Sequence, residues 1–297
     1  MKKIVSVGLP LPDELVIKIL CDVIKGGYVE GGSTEADLYT RVDALFELRT
    51  VSVQFNRCFN MIKTSFDFNC SNSSIQAHFV QLFFRRSFFL RSLDFESSAV
   101  HSASDKVRSL SDIFLDSSGS NVVPSLLGVE EINFQDFSFS TMGVIWAMDK
   151  SEDFLFLAKF PCLKTIILDD IEFDENEFRQ IFSGRSGLKA LELDSCNMSS
   201  TMMTYLISEA TALVHLDLSH NDTFNDEALS TLKVARCLHT LVLVDTAISY
   251  SGLLDFLRSY KGLRFLSAFD CDRISKEQLN DLVNWARVYY VGLNIEL

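Results

Sequence analysis

The apolar positions of this chain become strictly periodic from residue 163 onward. The triplet Leu-x-x-Leu-x-Leu, with Ile or Ala in some later positions, opens at Leu163, Leu188, Leu213, Leu238 and Leu263, and with valine leading at Val288. Each opening lies twenty-five residues after the one before it. A period kept that strictly is the signature of a stacked repeat protein. Within one unit, Leu163, Ile166 and Leu168 mark a short strand with one buried face. Three residues after the last apolar position come Ile171, Cys196, Asn221, Thr246 and Cys271, where the strand must turn. Asp174, Ser199, Asn225, Ser249 and Ser275 then supply N-caps for a helix, and Asp174 with Glu177, and Ser275 with Gln278, have capping-box spacing. Phe178 with Ile181, Leu206, Leu229 with Leu232, Leu253 with Leu257, and Leu279 with Leu282 would turn each helix toward its strand. A strand and one helix cannot bury an apolar face alone, so neighbouring units must stack. Strands pack about 4.8 Å apart and helices about 8–10 Å apart, which puts the strands on the inner curve of an arc. An inner wall of that kind is suited to holding another macromolecule.

Upstream the pattern loosens. Lys63-x-x-Phe66-x-Phe68, Leu90-x-x-Leu93-x-Phe95, Leu110-x-x-Ile113-x-Leu115 and Val129-x-x-Ile132-x-Phe134 read as degraded repeats at uneven spacing. The last of them predicts a longer helix with Val144, Ile145, Phe154, Phe156 and Leu157 on its buried side. Nearer the start, three amphipathic helical patterns follow one another. They are carried by Leu15, Ile19 and Leu20, by Leu38, Val42, Leu45 and Leu48, and by Val51, Phe55, Phe59 and Ile62. Gly26-Gly27 and Gly31-Gly32 separate the first two. The expected organisation is a helical head over 9–62, irregular repeats over 63–162 and regular repeats over 163–297.

Two resemblances follow from these residues. Leu11-Pro12-x-Glu14-Leu15-x-x-x-Ile19-Leu20, followed by Leu48-Arg49-x-Val51-Ser52-x-x-Phe55-Asn56, resembles an F-box, with a longer interval between its halves than that family usually has. The strand–turn–helix units, with Asn or Cys in the turn slot, resemble cysteine-containing leucine-rich repeats, which often accompany an F-box. The order of the two matches F-box/leucine-rich-repeat proteins. The resemblance implies an α/β fold: a leucine-rich-repeat horseshoe with parallel strands on the concave side, helices on the convex side and a three-helix F-box-like head. It also implies a role as substrate receptor of an SCF-type ubiquitin ligase. Leu11, Pro12, Leu15, Ile19, Leu20, Val51 and Phe55 would hold the Skp adaptor, and through it the cullin–RING ligase, while the concave face would hold a target protein. The competing reading makes the head a cap on the repeats. The chain is then a protein-binding scaffold or inhibitor without a ligase role.

Composition narrows the partner. A net charge of −13 works against binding nucleic acid, whose phosphates are met mostly by Lys and Arg. The seven cysteines form no Cys-x-x-Cys pair and are odd in number, which fits a reduced compartment, cytoplasm or nucleus. No apolar run is long enough to span a bilayer, so no membrane partner is expected. Phosphate loops, nucleophile elbows and His-Glu-x-x-His are all missing, so the expectation is a non-catalytic protein without cofactor. On the concave strands, Asp169, Asp170, Glu192, Asp194 and Asp217 make an acidic strip, and Phe265, Phe269, Tyr289 and Tyr290 make an aromatic end. Such a wall suits a target that brings a basic segment and an apolar anchor. His215, Asp217 and His239 have residue types that ligate zinc, but no compelling fourth ligand accompanies them, and no metal is expected.

Overall fold

The computed structural model describes residues 150–296 without a break. Before them it describes 64–67, 75–76, 80–81, 84, 90–96, 99–102, 109–116, 118–141 and 144–146. The head expected over 9–62, with Leu11, Pro12, Leu15, Ile19, Leu20, Val51 and Phe55, lies outside the described residues.

In chain order the early strands are β1 (Thr64–Asp67), β2 (Ile75–Gln76), β3 (Leu90–Asp94), β4 (Ala99–Ser102), β5 (Glu131–Asn133), β6 (Ser138–Thr141) and β7 (Val144–Trp146). The later ones are β8 (Thr165–Asp169), β9 (Ala190–Asp194), β10 (His215–Asp217), β11 (Thr240–Val242), β12 (Phe265–Ser267) and β13 (Asn294–Glu296). The α-helices are α1 (Leu110–Phe114), α2 (Glu175–Phe182), α3 (Ser200–Glu209), α4 (Asp226–Thr231), α5 (Tyr250–Ser259) and α6 (Lys276–Tyr289), with a 3-10 helix at Ser151–Lys159. Nine strands, β1, β3, β5 and β8 to β13, form one sheet in chain order, and every pairing in it is parallel. Parallel order with a helical crossover after each regular strand is what one strand–helix unit per repeat must give. The chain is a leucine-rich-repeat horseshoe.

Register shows how the leucines specify it. The middle apolar residue of each triplet pairs with its equivalent next door, from Leu93 through Ile132, Ile166, Leu191, Leu216 and Leu241 to Leu266. Each of these is at most 1% exposed. A slip of one residue would turn this row to solvent, so the sequence pattern and the register are the same fact. All five regular helices begin at the expected caps. Ser275 and Gln278 close a reciprocal capping box. Asp174 caps α2, but Glu177 does not return the bond, because its carboxylate takes the hydroxyl of Ser151 from the preceding unit.

The turn slot works as a ladder between units. Asn221, 1% exposed, accepts the N–H groups of Cys196 (2.9 Å) and Met198 (3.2 Å). Its amide nitrogen lies 2.8–2.9 Å from the carbonyls of Leu193, Leu218 and Ser219. Cys196 donates its thiol to the Asp194 carbonyl at 2.9 Å, and burial pushes that thiol's pKa far up. Thr246 and Cys271 both reach the Leu243 carbonyl at 3.1 Å. A second slot, behind the helices, escaped the sequence reading. Arg185, buried, donates to the carbonyls of Ile181, Leu157 and Phe160, and so closes the ends of α2 and of the 3-10 helix. Burial lowers its pKa to about 10, which leaves it charged at neutral pH. Seventy-five residues later in the same slot, the Tyr260 hydroxyl lies 2.6 Å from the carbonyls of Ala235 and Leu238. A positional signal was available: Arg185, Ala210, Ala235 and Tyr260 repeat at the same interval as the leucines.

Three expectations fail. Leu110 and Ile113 belong to helix α1 rather than to a strand, with Leu115 as its extended C-cap, and Leu110, Ile113 and Phe114 face the core from it. Val144 and Ile145 belong to strand β7, antiparallel to β6 in a second, four-stranded sheet ordered β2-β4-β6-β7. The predicted long helix therefore shrinks to the 3-10 turns at Ser151–Lys159, where Phe154, Phe156 and Leu157 are buried as expected. The sixth triplet is also displaced. α6 runs through Val288 and Tyr289, and Ile295 of β13, twenty-nine residues past Leu266, takes the place opposite it.

Candidate functional site

The concave wall is the outward half of the long sheet. Thr165, Ala190, His215, Thr240 and Phe265 lie side by side in register, and so do Ile167, Glu192, Asp217, Val242 and Ser267. Asp169 pairs with Asp194 at the end of β8 and β9. All but Ser267 are half-buried, which is how one face of a sheet looks when only its own neighbours shield it.

The acidic strip predicted from sequence is assembled. Asp169 and Asp194 stand opposite each other, Glu192 and Asp217 share the next row inward, and Asp170 follows at the rim. Burial raises the pKa of both Asp169 and Asp194, with repulsion from Asp194 and Asp136 adding to the first and from Asp217 and Asp136 to the second. The Ser195 hydroxyl, 3.0 Å from Asp194, and the Asp136 N–H at Asp169 offset part of this. His215 lies 3.4 Å from Glu192. His220, at the rim, stands 3.2 Å from Asp245; that hydrogen bond raises its pKa against a small burial effect, with Asp194 and Asp217 adding to the rise.

An acid whose pKa is higher in the folded than in the unfolded chain costs stability when ionised, and the cost disappears as pH falls through the folded value. Asp169→Asn and Asp194→Asn are therefore expected to raise the melting temperature at pH 7 by about 1–3 °C each. The gain should vanish below about pH 4, where the native carboxyls are protonated as well. Thermal melts of the three proteins between pH 3.5 and 8 check both the sign and the window.

The rim has a backbone feature that the sequence reading missed. The turns after β5 and β8 to β12 each hold a residue with positive φ: Asp136 (51°), Asp170 (54°), Ser195 (54°), His220 (55°), Asp245 (51°) and Asp270 (57°). Asp and similar short polar residues tolerate this left-handed conformation best after Gly and Asn. Aspartate in this slot thus serves the turn, and its carboxylate arrives at the rim as a consequence.

The aromatic end is half as predicted. Phe265 and Phe269 stay on the wall, half-buried, beside Val242 and Val244. Tyr289 and Tyr290 are elsewhere. Tyr289, 67% exposed, ends α6 and packs on Trp285 with ring centroids 5.9 Å apart. Tyr290 is buried, and its hydroxyl accepts the Leu263 N–H at 2.7 Å. They left the wall because nothing between Trp285 and Val288 stops the helix; it ends only at Tyr290, whose φ of −134° is no longer helical, and Gly292, with φ 91°, turns the chain toward β13. Among the described residues no group of three His, Cys, Asp or Glu side chains could hold a metal ion. His239 sits one residue out of step with the row of His215. Among the same residues no helix is long and apolar enough to cross a membrane.

No family model and no curated protein matches the sequence. Solved structures do. One is the leucine-rich-repeat-containing protein LegL7 from Legionella pneumophila, 17% identical over 73% of this chain and 77% of that one, with a TM-score of 0.38. Another is the complex of Rad7 and Elc1 in yeast, 12% identical over 95% and 92%, with a TM-score of 0.35. The repeat fold of this chain rests on its own strand order, register and slots.

Proposed function

We propose that this chain is the non-catalytic, target-binding subunit of an SCF-type ubiquitin ligase, acting in the cytoplasm or nucleus. In this reading an F-box-like head over 9–62 binds a Skp-type adaptor, and the concave wall binds a target with a basic segment. The observation that carries the second half is the wall itself. Nine parallel strands, about 38 Å from first to last, form it, and on its half-exposed face over β8 to β10 Asp169, Asp194, Glu192 and Asp217 stand in adjoining rows. The first half is supported by the Leu-Pro-x-Glu and Leu-Arg-x-Val-Ser-x-x-Phe segments and by their position ahead of the repeats. Holding a target beside the ligase raises its effective concentration there, with no chemistry required of this chain.

Co-expression with a Skp-type adaptor separates this reading from a plain binding scaffold. The intact chain should retain the adaptor through purification, and a chain lacking residues 1–62 should lose it. Adaptor capture by the shortened chain overturns the F-box assignment. Asp194→Lys with Asp217→Lys should abolish target capture while adaptor binding persists, and unchanged target capture counts against the strip.

A further inference from the structure

The two long edges of the concave wall carry opposite charge. Just ahead of the strands, backbone bonds of 2.7–2.8 Å link Lys189 to Lys164, Val214 to Lys189, His239 to Val214 and Arg264 to His239 in one continuous rim. The cations of Lys164, Lys189 and Arg264 stand on it, and Glu130 lies 2.8 Å from both Lys164 and Arg91. At the other ends of the same strands the rim is Asp170, Asp194, Asp245 and Asp270, with His220 paired to Asp245. From Lys164 to Asp170 is the five-residue strand β8 with one residue beyond each end, at most about 20 Å.

Along the arc the wall changes in a second way. Carboxylates occupy β8 to β10, whereas β11 and β12 present Val242, Val244, Phe265 and Phe269. Between the two phenylalanines lies Ser267, 2% exposed, whose hydroxyl has no hydrogen-bond partner. Its neighbours Leu266 and Ala268 point into the core, so alternation along the strand turns Ser267 to the wall. Ser267 therefore lies beneath the two phenylalanines, which form the exposed apolar surface at this end of the wall.

We infer that the wall from β8 to β12 binds one amphipathic α-helix of a partner protein, laid across the strands in a fixed orientation. One end of it is apolar and sits over Phe265 and Phe269. One flank carries Lys or Arg toward the Asp170 rim, and the other carries Glu or Asp toward the Lys189 rim. This inference rests on the wall being the target site and adds what the target must present there. Width decides for a helix. A helix is about 10–12 Å across with its side chains, so on a floor about 20 Å wide its flanks come within about 5 Å of each rim, where the long side chains of Lys189 and Arg264 meet them. An extended strand would leave both rims unmet. The five strands span about 19 Å, which is about 13 residues of helix. The anchor and the two rims are not collinear. Together they fix both the direction of the helix and which flank faces which rim.

Four helix-stabilised synthetic peptides of about four turns test this against the full-length chain by fluorescence anisotropy. The Phe-Leu anchor is placed at either end, and the Lys and Glu flanks are set in either arrangement. For each anchor position one arrangement should bind at least about tenfold tighter, because two or three exposed ion pairs form in one and become repulsions in the other. The favoured arrangement should switch when the anchor moves to the opposite end. Lys189→Glu with Arg264→Glu, combined with Asp170→Asn and Asp245→Asn, should erase the preference. Equal affinity for both arrangements overturns the inference. So does failure of all four peptides to bind, and if the same chain still retains the adaptor, that failure leaves the receptor reading standing. Loss of the adaptor with flank selection intact does the opposite, removing the ligase role and upholding the helix-binding wall.

Discussion

Asn221→Ala is expected to destabilise the folded chain by about 4 kcal/mol, lowering the melting temperature by about 8–15 °C. The side chain is fully used. It accepts two backbone N–H groups, from Cys196 and Met198, and its amide faces three carbonyls, those of Leu193, Leu218 and Ser219. Alanine would leave these groups in a region where Asn221 itself is only 1% exposed, so water cannot replace the lost bonds without opening the turn. The order within a series is the sharper test. Asn221→Cys should cost least, because the neighbouring unit already holds Cys196 in this slot with its thiol on a strand carbonyl. Asn221→Asp should cost most at neutral pH, because it sets a buried carboxylate against three carbonyl oxygens. Chemical denaturation of the three variants measures the order, and equal losses for Asp and Cys would show that the ladder contributes little.

Phe114→Ala should be comparably severe, at about 3–5 kcal/mol. Its ring stacks on Phe156 at 4.5 Å and 4°, and lies within 5.2–6.1 Å of Phe84, Phe95, Phe134 and Phe160. Truncation opens a cavity at the centre of this cluster, which joins the irregular units to each other and to the 3-10 turns. Repeat arrays unfold by neighbouring units rather than all at once. Amide exchange should therefore rise mainly over 90–160, while β9 to β11 keep their protection. Uniform loss along the chain would show that the irregular and regular parts fold as one unit.

The regular half was legible because each unit states its structure several times: a leucine triplet, a polar turn slot, an N-cap and a helical apolar pair, all in phase. Where those signals disagreed, the leucine period was the wrong one to follow. Leu110 and Ile113 fit a strand triplet with Leu115 and a helical face with Phe114. The deciding residues are Ser109 and Asp112, whose capping box starts α1. Val288 kept the period, but an unbroken run of helix-compatible residues carried α6 through it. Of the candidate site, the acidic strip was readable because alternation along a strand fixes which side chains share a face. The left-handed rim and the Arg185–Tyr260 slot depend on backbone conformation and on carbonyls left over at helix ends. The period marks where both recur, but the order of apolar and polar positions does not say what they bond.

The lengthened last interval bears on how such an array can grow. A copied module of twenty-five residues inserted between Leu188 and Leu263 would find a matching unit on both sides, with leucines, turn slots and caps all in step. The same module joined behind β13 would follow a unit whose helix has overrun the beat, and its first strand would start four residues late. Duplication by whole units thus stays in step in the interior of the horseshoe and falls out of step at that edge. A unit added between β10 and β12 would separate the acidic strip from the phenylalanines while leaving each of them intact.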